Sequence, residues 1–367
     1  MSTYIHQRKY WPQFSWDEAE LSTVLGEVRY IQGKINGRME AFGFTSKSET
    51  ILKTLTEDVL KSSEIEGEVL GREEVRSSIA RRLGIEIAGL VPSDRNVDGV
   101  VEMTLDATQN YKSELTKERL LGWQSSLFPS GRSGMYKILT GKWRDNEKGP
   151  MQVVSGPMGR ETVHFEAPDA TRLEEEMAQF LAWFNSSVNM DPVIKSGIAH
   201  LWFVTIHPFD DGNGRIARAI ADMQLARTEG SGERYYSMSS QIRKRRSEYY
   251  AILEKTQKGN LDITSWLQWF LLCMRDALQA TEETLNVVLQ RVAFWDKYAD
   301  VPLNERQRLM IQKMQEDFFG KLTSSKWAKI MKCSQDTAGR DISDLIAKGL
   351  LTKDRGGGRS SAYLLVW

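Results

Sequence analysis

Cysteine is scarce in this 367-residue chain, where Cys273 and Cys333 are the only two. Two cysteines supply neither a disulfide framework nor a thiolate zinc site. Proline, at nine residues, is too sparse for an extended or low-complexity chain. No stretch of 18 apolar residues occurs, and the opening MSTYIHQRKYWPQF has no signal-like apolar run. Net charge is missing as well, with 49 basic residues against 49 acidic. These absences predict a reduced, soluble, cytoplasmic protein with no membrane attachment. The balance is not local, however. Residues 301–367 hold 12 Lys+Arg and 7 Asp+Glu, a net of +5, so the preceding part carries −5. Such asymmetry sets the tail apart as a module with its own task.

What is present is length enough for two or three domains and a dominant helical period. The pattern predicts helices over 21–35, 48–63, 72–83, 172–184, 193–206, 215–228, 247–257 and 263–280. Asp191-Pro192 reads as an N-cap followed by an N1 proline, and Gly84, Gly230 and Gly259 read as stops. Residues 151–155 and 162–165 are β-prone runs around GPMGRE, a hairpin signal. A second hairpin is expected at the end, flanking DRGGGRSS. The fold class is therefore mainly α, in three parts: a helical domain over 1–114, a core over 115–290 and a tail module over 300–367.

The chemistry concentrates in one string, His207-Pro208-Phe209-Asp210-Asp211-Gly212-Asn213-Gly214-Arg215-Ile216-Ala217-Arg218. An apolar helix ends in a histidine, and a glycine-rich loop opens directly into the next helix. Gly212 and Gly214 allow a tight turn and close approach of a ligand. The free N–H groups and positive end of the following helix suit an anion. Arg215 and Arg218 are three apart, so both reach one phosphate chain. Asp211 is a hard ligand for Mg²⁺, and His207 has the chemistry of a general base. A glycine-rich turn between helices is the plain alternative for the GNG piece alone. The full string gives every position a use in phosphate chemistry. It is no Walker loop, since the Lys-Ser/Thr pair is missing.

The string resembles the signature of the Fic family, HPFx(D/E)GNGRxxR, at every specified position. The resemblance implies a Fic-type helical core that transfers AMP from ATP to a Ser, Thr or Tyr hydroxyl of a target protein, the chain itself included. It makes His207 the base, Asp211 the Mg²⁺ ligand, and Asn213 with the Gly212 and Gly214 amides the α-phosphate cradle. Arg215 and Arg218 would hold the β- and γ-phosphates. The 151–165 hairpin resembles the family's flap, on which the target docks by strand addition. There Val154, Ser155, Gly156 and Pro157 would approach the nucleotide. Tyr249, Tyr250 and Gln257 match adenine-side positions, with Gln257 where relatives often carry Asn.

Upstream, Ser62-Ser63-Glu64-Ile65-Glu66-Gly67 resembles the family's inhibitory helix, (S/T)xxxE(G/N), through Ser62, Glu66 and Gly67. The resemblance implies self-inhibition, with Glu66 paired to Arg218 so that ATP seats wrongly. Two other functions stay open: removal of AMP, with Glu66 positioning a water, and a nucleotide-sensing, DNA-binding regulator. His200, two turns before His207, is expected to be a hydrogen-bonded structural residue, and no function is assigned to His164 or His6.

Residues 323–349 read as helix, turn, helix, with Trp327, Ile330 and Met331 packing on Ala338, Ile342, Leu345 and Ile346. With the terminal hairpin this resembles a winged helix, and Arg355 and Arg359 would reach phosphates. Three aspartates on its second helix disfavour that contact, so DNA binding and a protein-docking or homodimer role are both left standing.

Overall fold

A computed structural model describes residues 3–40, 44–87, 89–147, 149–157, 159–315, 318, 320–354 and 362–367. The chain forms two compact units, Met1–Glu282 and Glu283–Trp367. The expected division near residue 114 lies inside the first unit, and the second begins within a long helix.

In the first unit, α1 (Glu18–Glu40) buries Leu21, Val24, Val28, Ile31, Ile35 and Met39 at helical spacing. Next come α2 (Phe44–Ile65), which bears the upstream motif at its C-terminus, and α3 (Arg72–Leu83). Two helices missing from the sequence reading follow. In α4 (Arg95–Gln109) the Asp94 side chain caps the Val97 amide, and in α5 (Lys117–Leu127) Thr116 caps Arg119. Gly99 is what lets α4 and α5 cross, because a Cβ there would stand 1.8 Å from the Ser126 carbonyl oxygen.

Two short antiparallel pairs lie between α5 and α6 (Leu173–Asn185). The pair β1 (Arg132–Ser133) and β2 (Tyr136–Lys137) was not anticipated. The pair β3 (Gln152–Ser155) and β4 (Thr162–Glu166) is the expected hairpin, with Val153 opposite Phe165 and Ser155 opposite Thr162. Its buried Phe165 packs edge-on against Tyr4, which gives the aromatic N-terminus a structural role.

The centre of the unit is α7 (Pro192–Ile206) paired with α8 (Asn213–Glu229). Asp191 caps α7 and Pro192 opens it, and residues Val193 to Ile206 are all buried. A helix apolar on every side must sit inside others. Around it lie α9 (Met238–Lys244), α10 (Arg246–Gln257) and the first part of α11 (Thr264–Lys297). The period suggested an end at 280, yet α11 continues for 17 more residues.

The second unit has its own core of Phe294, Met310, Ile311, Trp327, Ile342 and Leu345. Its helices are α12 (Glu305–Gln315), α13 (Ser324–Met331) and α14 (Gln335–Ala347), followed by β5 (Leu351–Lys353) paired with β6 (Tyr363–Leu365). The order of helix, turn, helix and hairpin is the expected one. Of the three aspartates on α14, Asp341 is buried and pairs at 3.0 Å with the exposed Arg306, so it is not a free surface charge. Arg355 and Arg359 lie outside the described residues. No helix among the described residues is long and apolar enough to cross a membrane.

Candidate active site

The site forms where α7 ends. His207 takes a left-handed conformation, φ 52° and ψ 58°, uncommon for a residue with a side chain. Such backbone persists only where neighbours hold it. Arg144 does so: Nε donates to the His207 carbonyl at 2.7 Å, Nη2 to the Pro168 carbonyl at 2.6 Å, and its amide to the Pro208 carbonyl at 2.9 Å. His207 Nδ1 lies 3.2 Å from the Val204 carbonyl, which places the proton on Nδ1 and leaves Nε2 as an acceptor. Burial pushes its pKa down to about 4, against the raising effect of the Val204 carbonyl. The ring is therefore neutral at pH 7 and able to take a proton.

Beyond it the loop is braced from inside. Asn213 Oδ1 accepts from the Phe209 amide at 3.0 Å, and its Nδ2 donates to the Phe209 carbonyl at 2.8 Å. Both ends of this side chain are thus committed to the loop, so what it offers a ligand here is its backbone. Gly212 has φ 90°, and a Cβ there would meet the Phe128 ring at 3.0 Å. Asp211 accepts a hydrogen bond from Ser133 of β1.

The opening turn of α8 leaves amides at Asn213, Gly214 and Arg215 for an outside acceptor. In this structure the carboxylate of Glu66, just past the end of α2, stands beside that turn. A Cβ on Gly214 would lie 2.2 Å from Glu66 Oε1, so only glycine admits Glu66 to this position. The same oxygen pairs with Arg218 Nη2 at 2.8 Å. Arg218 Nη2 and Nε also donate to the Ser62 carbonyl and hydroxyl, both at 2.9 Å. Burial would raise the Glu66 pKa, but Arg218 outweighs it and holds the carboxyl below its usual range. Arg218 is itself buried, with Nη1 left without a partner.

Arg215 is held from the same segment. Its Nη1 lies 2.6 Å from Glu68 Oε2, and its guanidinium stacks 5.0 Å above the Phe128 ring. The end of α2 is shaped for this: Gly67, at φ 87°, turns the chain so that Glu66 and Glu68 face two arginines of one helix. From α10, Arg246 Nε donates to the Ile65 carbonyl at 2.6 Å, and the Tyr250 hydroxyl lies 3.2 Å from Glu66 Oε2.

Tyr250 therefore joins the site, and Tyr249 does not reach its surface. Tyr249 is 2% exposed beneath Arg218, bonded to His200 Nε2 at 2.8 Å. That confirms His200 as a structural residue and makes Tyr249 a support for Arg218. Gln257 is also buried, 3.3 Å from the Thr205 hydroxyl. On the hairpin Val154, Ser155, Gly156 and Pro157 are exposed. Four residues escaped the sequence reading: Glu68, Arg144 and Ser133 at the site, and His164 on the hairpin, whose ring lies 2.6 Å from Ser155 Oγ and 2.7 Å from Glu254 Oε2. Glu68 alone had a readable signal, its place two residues after Glu66 in a pattern built to meet arginines.

Comparison with known proteins identifies the domain that carries the signature loop. Residues 114–225 match the Fic/DOC family, and residues 4–85 match a domain of unknown function, DUF4172. Residues 114–225 thus form a Fic/DOC domain. It is 37% identical over 89 residues to protein adenylyltransferase fic-1 of Caenorhabditis briggsae, 24% of this chain and 16% of that protein. It is 34% identical over 115 residues to protein adenylyltransferase Fic of Drosophila ananassae, 31% of this chain and 20% of that one. The matches thus span a fifth or less of those relatives' own length. A Fic family protein from Desulfovibrio desulfuricans G20 shares the fold over 97% of this chain and 98% of its own, with a TM-score of 0.57 and 20% identity.

Proposed function

We propose that this chain is a self-inhibited protein adenylyltransferase that moves AMP from ATP to a hydroxyl of a protein. The observation that carries the reading is the occupant of the anion position. Glu66 stands against Gly214 and Arg218, where a helix N-terminus and a guanidinium would otherwise receive phosphate. The held state explains why an otherwise complete phosphate cradle is closed by its own chain.

In the released state the amides of Gly214 and Arg215, with Arg215 and Arg218, bind and orient the triphosphate. Neutral His207 takes the proton of the attacking hydroxyl at Nε2. Such a transfer needs positioning and charge neutralisation more than a covalent nucleophile. Asp211 fits a divalent cation whose other ligands are phosphate and water; bound there, Mg²⁺ would neutralise phosphate charge. Among the described residues no cluster of three or more His, Cys, Asp or Glu forms a metal cage. The exposed strand β3 is the docking edge for a target segment, by strand addition.

Glu68 on Arg215 extends the inhibition to both arginines. The test is the intact mass of the Glu66→Gly chain after incubation with ATP and Mg²⁺, beside wild type. Adenylyl increments on the variant are expected. Phosphoryl increments would make the protein a kinase and end this reading.

A further inference from the structure

The stretch from Phe128 to Leu139 runs back along the signature loop and touches it at three successive points. The Phe128 ring lies under Gly212, where a Cβ would meet it at 3.0 Å, and carries the Arg215 guanidinium 5.0 Å above it. The Ser133 hydroxyl donates to Asp211 Oδ2. The Leu139 amide donates to Asp210 Oδ2 at 3.0 Å. Between the last two points the chain reverses through a two-residue loop, Gly134-Met135. Gly134 takes φ 55° there, and Tyr136 comes to lie opposite Ser133.

Burial does not explain where this hairpin sits. Of residues 132–137 only Ser133 is half-buried, and the rest are exposed, Met135 at 87% and Tyr136 at 68%. An anchor for the hairpin already exists in the Leu139 amide on Asp210. The Ser133 hydroxyl goes instead to the next carboxylate, the one that fits a divalent cation. Asp211 Oδ1 accepts from the Gly212 amide at 2.5 Å, so each oxygen of that carboxylate receives one hydrogen bond. A carboxylate has about four lone-pair sites. Two donors therefore fix the plane of the group and leave a lone pair on each oxygen for a cation. Without Ser133 one of these two bonds is lost, and Oδ2 can turn away.

We propose that Ser133 is the positioning residue of the cation site, holding the Asp211 carboxylate in the orientation that receives the metal of a metal–nucleotide complex. The inference rests on the reading of Asp211 as a cation ligand and adds the residue that orients it. Ser133 acts through Asp211 and not on the reacting atoms. Hydrogen bonds of this kind to a metal ligand are typically worth 10- to 100-fold in metal affinity.

The experiment uses the full-length Glu66→Gly chain as parent, with α,β-methylene-ATP, whose carbon bridge resists cleavage so that binding alone is read. Mn²⁺ is titrated into the chain carrying one equivalent of the analogue, and free Mn²⁺ is read from its EPR signal. The analogue without protein gives the affinity that owes nothing to the chain, and calorimetry gives the affinity for the analogue without metal. Adding Ser133→Ala should weaken Mn²⁺ binding by about 10- to 100-fold, down to the level of the analogue alone, with metal-free nucleotide affinity unchanged. Ser133→Thr, which keeps the hydroxyl, should restore it. Mn²⁺ affinity that survives Ser133→Ala but falls in Asp211→Ala overturns the inference and leaves Asp211 as the ligand. An equal fall in metal-free affinity in Ser133→Ala shows a packing role and also overturns it. A parent chain that binds Mn²⁺ no better than the analogue alone, or that is indifferent to Asp211→Ala, overturns both the inference and the ligand reading.

Discussion

Replacing Glu66 by glycine removes one carboxylate from the most enclosed ion pair of the proposed site. Arg218 is 3% exposed at its side chain and Glu66 30%, so the pair is shielded on one side and wetted on the other. A hydrogen bond to a charged partner contributes about 1.5–3 kcal/mol, and solvent access at Glu66 favours the lower part of that range. At 1.4 kcal/mol per factor of ten, freeing Arg218 should raise the adenylylation rate by roughly 10- to 40-fold. The two bonds from Arg218 to Ser62 remain in the variant and limit the gain. The pH dependence has a definite sign. Arg218 depresses the Glu66 pKa, so the clamp is complete above the ordinary carboxylate range and opens only as pH falls through the lowered value. The ratio of variant to wild-type rate should hence be flat from about pH 6 to 8. The assay is initial-rate incorporation of α-labelled ATP into protein across that interval. A variant rate equal to wild type, with unchanged ATP affinity, would refute the clamp.

Glu68→Gln should activate less than Glu66→Gly, by a few-fold, because Arg215 keeps its stacking on Phe128; ATP affinity by calorimetry checks it, and no tightening would refute a role for Glu68. The Glu66→Gly chain should keep its rate as pH falls well below 6.5, with the acid limb near 4, because buried His207 stays neutral until then; a limb at the ordinary histidine value would contradict this. Arg144→Ala should cost about 2–4 kcal/mol in denaturant unfolding, since buried carbonyls at His207 and Pro168 lose a charged donor, and a loss under 0.5 kcal/mol would show that they are satisfied otherwise.

The parts of this site that could be read in sequence are those whose chemistry is local. The string from His207 to Arg218 declares itself because loop, helix start and paired cations occupy consecutive positions. Ser62, Glu66 and Gly67 do the same at the end of α2. Among the helices, α4 and α5 were lost even though Asp94 and Thr116 cap them. Their contact depends on Gly99 meeting the Ser126 carbonyl, a tertiary fact with no periodic trace. Arg144 and His164 were invisible for a related reason. One is defined by carbonyls 24 and 63 residues away, the other by a carboxylate 90 residues away. Tyr249 and Tyr250 show the converse limit, since adjacency in sequence cannot say which ring turns inward. Burial beneath Arg218 settled that for Tyr249.

The most direct measurement compares ATP labelled at the α- and γ-phosphate in three full-length chains: wild type, Glu66→Gly, and Glu66→Gly with His207→Ala. The account predicts α-label on protein that is weak in wild type and strong in Glu66→Gly. It should fall by about 10²- to 10⁴-fold when His207 is removed, with no γ-label in any chain. Protein-bound γ-label, or α-label indifferent to His207, would contradict it.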